Sequence, residues 1–139
     1  MERYLKLLKT IAEGVEPVKT ARIAAAVLYR GTPVSFGFNS MKSHPMAAKF
    51  GKHPEAIYLH AEVDAIIKAR KKLTDDELKK SVLLVARAKY DDGCKTSRFG
   101  ICKPCSGCQR CIEEVGLRKV VYTLESNLGE LTYQAWNRL

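Results

Sequence analysis

The sequence predicts an α/β layer structure, a mixed sheet of four to five strands with helices on both faces and an antiparallel last strand. Ile23–Leu28, Val82–Ala86 and Lys119–Thr123 are short, largely apolar runs bounded by turn residues, and they read as buried strands. Stretches with apolar residues at helical spacing precede and separate them. The resulting order, α-β-β-α-β-α-β-β, suits a sheet covered by helices. With 139 residues, 46% of them hydrophobic, the chain has the size of one ordinary globular domain spanning 1–139.

The first helix is expected over residues 2 to 13, where Tyr4, Leu8, Ile11 and Val15 recur at helical spacing and Gly14 ends the run. Arg22–Tyr29 and Val34–Phe38 form a hairpin around a turn at Gly31-Thr32-Pro33. Residues 39 to 59 show no clean period, and a segment that long without evident structure is often functional. His60 then opens a helix with Val63, Ile66, Ile67 and Leu73 on one face and Lys68, Arg70, Lys71 and Lys72 at its exposed end. Thr74-Asp75-Asp76-Glu77 has the form of a capping box starting a short helix to about Lys80.

After the strand at Val82, residues 91 to 103 read as a loop. Pro104 starts a helix that carries Cys108, Cys111, Ile112 and Val115 on one side and closes at Gly116. Leu131–Trp136 forms the last, antiparallel strand; alternatively Tyr133–Leu139 is a terminal helical turn and the sheet has four strands.

Lys and Arg number 24 against 15 Asp and Glu, a formal charge of +9 that favours anionic partners such as nucleotides or nucleic acid. A solubilising surface would account for the same excess. The N-terminal residues show no signal-peptide pattern, and no stretch approaches the roughly 20 apolar residues that span a bilayer. Four of the five cysteines, an odd total, cluster at 102, 105, 108 and 111. That usage suits a reducing cytoplasm and a metal better than a disulfide framework.

The chemistry concentrates in His60-Ala61-Glu62 and Pro104-Cys105-Ser106-Gly107-Cys108. A histidine and two cysteines could hold one zinc through three protein ligands and leave a position open, with the Glu62 carboxylate beside it as general acid/base. His60 and Cys105 both fall at expected helix N-termini, where backbone N–H groups and the dipole favour a thiolate. The i, i+3 spacing puts the Cys105 and Cys108 sulfurs on one face. Two other readings exist: the C-x2-C-x2-C-x2-C run as an iron–sulfur ligand string, or as overlapping pairs of a structural zinc site. Pro104 and the apolar spacing through Val115 favour a helix over a cluster-binding loop.

These residues resemble the signature of the cytidine deaminase superfamily, H-x-E followed by P-C-x-x-C. Gly37-Phe38-Asn39, Ile112, Gly116 and Val120-Val121-Tyr122 extend the resemblance over most of the chain. It implies a three-layer α/β/α cytidine-deaminase-like fold and zinc held by His60, Cys105 and Cys108. It further implies Glu62 as the proton shuttle, Asn39 as a contact to sugar or base, the Ala61 N–H and Ser106 carbonyl as holders of the base, and a homo-oligomer. Only 16 residues follow Thr123, too few for a crossover helix and another strand, hence the antiparallel last strand.

The motif leaves the substrate open. A cytosine nucleotide of the deoxycytidylate kind is the first expectation, with Lys42, His44 or Arg98 meeting a 5′-phosphate. Single-stranded DNA or RNA is the alternative, with Phe50, Tyr58 or Phe99 stacking on flanking bases. A catalytically silent, zinc-stabilised nucleic-acid-binding domain is the third, although it would not require Glu62. No membrane association is expected. Cys94, Cys102 and Cys111 are expected to be packing or incidental thiols.

Overall fold

Alternating side chains along three adjacent strands build two separate cores, one on each face of a sheet. The structure, a computed structural model, describes residues 1–15, 17, 21–43 and 58–137. Strands β1 (Arg22–Tyr29), β2 (Thr32–Phe38), β5 (Val82–Lys89), β7 (Lys119–Thr123) and β8 (Tyr133–Asn137) run in the order β2-β1-β5-β7-β8. Only the β5–β7 pair is parallel among these. A sixth strand, β6 (Arg98–Gly100), pairs with β5 off this path, and β3 (Ser40–Ser43) with β4 (Tyr58–Leu59) makes a separate two-stranded sheet. Sequence patterning missed these last three because each has four residues or fewer, too short to establish a period.

Helix α1 (Glu2–Glu13) lays Leu5, Leu8 and Ala12 on one face, against Ala24, Ala26, Leu28, Leu84, Ala86, Ala88 and Val121. The opposite face presents Ala25, Val27, Leu83, Val85, Val120 and Tyr122 to α2 (Ala61–Arg70), α3 (Asp75–Lys79) and α4 (Ser106–Val115). Period 2 in β1, β5 and β7 thus gives each helical layer its own set of side chains. Alanine is a poor strand former, yet three successive alanines in β1 are fully or almost fully buried. Small side chains there let helices approach from both faces.

The expected hairpin forms with its turn one residue earlier. Arg30 and Gly31 both have positive φ, 54° and 77°, as a two-residue type I′ connection requires, so Thr32 and Pro33 belong to β2. Pro33 is accommodated because β2 is the sheet edge and the register shifts beside it, between Val27 and Leu28. The capping box forms as expected, with the Thr74 side chain accepting from the Glu77 N–H and the Glu77 carboxylate accepting from the Thr74 N–H.

The last strand is antiparallel to β7, from Lys119 opposite Asn137 to Thr123 opposite Tyr133. A terminal helical turn in its place is thereby excluded. Among the described residues no helix is long and apolar enough to cross a membrane.

Candidate active site

Two helix N-termini converge at the sheet face opposite α1. His60 is the N-cap of α2, in extended conformation, and its carbonyl accepts the Asp64 N–H at 3.0 Å. Cys105 is the N-cap of α4, so the helix starts at Ser106, two residues later than the expected start at Pro104, and the Cys105 sulfur accepts the Cys108 N–H at 3.5 Å. A thiolate replaces the usual Ser or Asp cap and meets the positive end of the helix dipole.

The His60 Nδ1 lies 3.2 Å from Cys108 Sγ and 3.6 Å from Cys105 Sγ. All three donor atoms fall within 4.8 Å of one another. Tetrahedral zinc with ordinary Zn–N and Zn–S bonds separates nitrogen from sulfur by about 3.6 Å, so the donor set fits that ion. Cys102 and Cys111 are not in this group among the described residues. Both are buried in the adjoining core, which removes the reading of a four-cysteine cluster.

The protons around these ligands are unequally held. Hydrogen bonding from Cys108 and His60 pulls the Cys105 thiol down to about 3. Cys108 is pushed up, first because it is the donor to Cys105 and then by burial. His60 is raised by its hydrogen bond with Cys105. In the first turn of α2, Glu62 is 5% exposed, and burial raises its carboxyl against the pull of His60. A carboxyl so placed keeps a proton to higher pH than an exposed glutamate.

The model of the family described as the cytidine and deoxycytidylate deaminase zinc-binding region matches residues 1–124. The chain belongs to this family. Zinc is therefore its metal, with His60, Cys105 and Cys108 as the group able to bind it. The fold is also shared with solved deaminases. The apo dCMP deaminase of the cyanophage S-TIM5 aligns at 23% identity with a TM-score of 0.60, covering 91% of this chain and 83% of that one. The same enzyme in complex with dCMP and dUMP aligns at 21% and 0.56, covering 87% and 78%. Cytidine deaminase from Burkholderia pseudomallei aligns at 16% and 0.61, covering 96% and 90%. No curated protein sequence matches the chain.

In this family member α2 is clamped onto β2 by contacts that sequence periodicity did not reveal. Ser35 Oγ donates to the Ala65 carbonyl at 2.7 Å. The Phe38 N–H donates to Asp64 Oδ2 at 3.0 Å, and Lys68 Nζ reaches the same oxygen at 2.9 Å. Instead of one apolar face, α2 buries Ala61, Glu62, Val63, Asp64, Ala65, Ile66 and Ala69, which lie all round its first two turns. The available signal was Asp64 itself, a charged residue amid Ala, Val and Ile.

A second device delivers Cys105. Strand β5 pairs with β7 through Val85 and with β6 from Arg87 onward. At this fork Thr123 Oγ1 accepts the Arg87 N–H at 3.2 Å and donates to the Gly100 carbonyl at 2.7 Å. Cys102 Sγ lies against Thr123 Oγ1 at 3.2 Å and donates to the Val85 carbonyl at 3.3 Å. Burial pushes the Cys102 thiol up to about 12, so it packs as a neutral group, as expected for this residue. Cys111 is likewise buried, and Cys94 is exposed.

The substrate-binding expectations divide. Ala61 and Ser106 are the first residues of α2 and α4, beside the metal ligands. Asn39 is buried and faces the backbone: Oδ1 accepts the Ile23 N–H at 2.9 Å, and Nδ2 donates to the Ala21 carbonyl at 2.8 Å. Each group keeps one further hydrogen-bonding position. Lys42 has its backbone in β3, but its side chain lies outside the described residues, as do His44, Phe50 and the Tyr58 side chain. Arg98 is turned to carboxylates instead of an open surface. Its Nε is 3.2 and 3.0 Å from the Asp91 oxygens, Nη2 is 3.1 Å from Asp91 Oδ1, and Nη1 bonds Glu125 Oε2. Phe99 is buried beneath Lys9, whose ammonium stands 5.4 Å from the ring centroid, so this ring is not available to a flanking base.

Proposed function

We propose that the protein is a zinc-dependent hydrolytic deaminase that converts a cytosine nucleotide, deoxycytidylate-like, to the uracil form with release of ammonia. The observation that carries this reading is Glu62: a buried carboxyl, two residues from His60, which burial holds above its ordinary pKa. A purely structural metal site has no use for it. The likeness to a dCMP deaminase solved with dCMP and dUMP supports the nucleotide choice.

When bound, zinc supplies the Lewis acidity that makes water nucleophilic at neutral pH. Glu62 takes a proton from the attacking water, gives one to the ring nitrogen and passes another to the departing amine. The C–O bond forms first, as the first water proton goes to the ring nitrogen; the second water proton then passes to the amine, and the C–N bond breaks as the carbonyl forms. A carboxyl whose pKa is raised by burial suits both directions of transfer. The Ala61 N–H and the Ser106 carbonyl hold the base, and the remaining hydrogen-bonding positions of Asn39 face the sugar. Lys42 and His44 complete the substrate contacts. Residues 1–139 form one catalytic domain.

The test is ammonia release from cytidine, deoxycytidine, CMP, dCMP, dCTP, adenosine and a single-stranded oligonucleotide, using zinc-loaded protein. Turnover of dCMP above the others is expected, and Glu62→Gln should keep its zinc while losing about 100- to 10,000-fold in rate. Deamination of the oligonucleotide alone would replace the nucleotide reading with the polynucleotide one. No ammonia from any compound would end the deaminase reading.

A further inference from the structure

Strand β5 carries a cation that the proposed chemistry leaves unused. Leu83 and Val85 point into the core shared with Ala61 and Cys108, and the alternation places Arg87 on the same face, two residues further along. Its stem lies over Gly100, where a Cβ would stand 3.0 Å from the Arg87 Cδ. The absence of a side chain on Gly100 makes room for the arginine. Cys102, whose thiol donates to the Val85 carbonyl of the same strand, joins that core, so the arginine stands beside the segment that runs from β6 to the ligand Cys105.

Three cations share this end of the sheet, since Arg87 lies opposite Gly100 and Lys89 opposite Arg98. Two of them are neutralised: Lys89 pairs with Glu125 at 3.5 Å, and Arg98 pairs with Asp91 and Glu125. Arg87 pairs with no carboxylate among the described residues. Its Nη1 reaches only the Ile101 carbonyl, at 3.4 Å, and its Nε is buried with no hydrogen-bond partner among them. A buried N–H without an acceptor is unfavourable, and a guanidinium edge matches phosphate oxygens.

We propose that Arg87 is the anchor for the 5′-phosphate of a mononucleotide substrate. This rests on the nucleotide-deaminase reading and deepens it. A polynucleotide would call for a row of unpaired cations along its backbone, whereas here two of the three neighbouring cations are already paired.

Arg87→Met and Arg87→Lys, checked for zinc content and melting temperature, would be compared with the wild type in two assays. In turnover, the ratio of kcat/KM for dCMP to that for deoxycytidine should fall about tenfold or more in Arg87→Met and be partly retained in Arg87→Lys. In calorimetry on zinc-loaded protein, the affinity for dUMP relative to deoxyuridine should fall in step. Equal losses on both members of a pair would make Arg87 only a brace for the Ile101 carbonyl and overturn the proposal. An unchanged ratio, or no dUMP binding by the wild type, would overturn it too. Arg87-dependent dUMP binding without turnover of any cytosine compound would uphold the anchor and sink the deaminase reading; dCMP turnover with no selective loss would do the reverse.

Discussion

Gly37 and Ala65 meet backbone to backbone. A Cβ on Gly37 would stand 2.3 Å from both the Ala65 nitrogen and the Ala61 carbonyl oxygen. What is required here is space, since the atoms that would be met belong to the main chain of α2 and cannot rotate away. Gly37→Ala should destabilise the protein by about 3 kcal/mol in urea unfolding, the upper part of the range for overpacking. It should also push out the turn that bears Glu62 and lower kcat by about a hundredfold. Wild-type stability in the variant would mean that α2 does not sit this close.

Thr123 fills the fork where β5 changes partner from β7 to β6. Thr123→Val keeps the shape but leaves the Arg87 N–H and the Gly100 carbonyl without their bridging hydroxyl. The expected cost is about 2–3 kcal/mol of stability, because buried groups lose a partner without gaining water. Thr123→Ser, which restores the hydroxyl, should recover most of it. Denaturant midpoints of the three proteins decide the matter, and a valine variant as stable as the serine one would refute the bridging role.

These two positions show where sequence reasoning stopped. His60, Cys105 and Cys108 were legible because a metal ligand set needs particular residue types at particular spacings. The strands β1, β5 and β7 were legible as short apolar runs. The roles of Ser35, Gly37, Asp64 and Thr123 depend on contacts between elements distant in the chain, which no local period records. The ion pairs of Arg98 were hidden for the same reason. As a lone cation before the cysteines it looked free for phosphate, and only the fold brings Asp91 and Glu125 to it.

The Arg98 cluster carries a pH signature. Hydrogen bonding to Arg98 holds both the Asp91 and Glu125 carboxyls below their ordinary range. Groups depressed in the folded state stabilise it fully above their unfolded values, about pH 4, and lose that contribution as pH falls through the lower folded values. The melting-temperature advantage of wild type over Arg98→Met should therefore be constant above about pH 5 and shrink as the solution is acidified below about pH 4. Curves that stay parallel down to unfolding would show that the cluster is not formed in solution.

Metal removal bears on the fold as well as on the chemistry. His60 caps α2 and Cys105 caps α4, two helix ends 45 residues apart whose donor atoms lie within bonding range of one ion. Zinc bound to that group favours the folded over the unfolded chain according to its free concentration relative to its Kd, about 4 kcal/mol at a thousandfold excess. A chelator should therefore lower the melting temperature of the wild type, and added zinc should restore it. Cys108→Ser, deprived of one donor, should start from a lower melting temperature and respond much less to either treatment. If the wild type and this variant responded alike, the stabilising zinc would have to sit somewhere other than between these two helices.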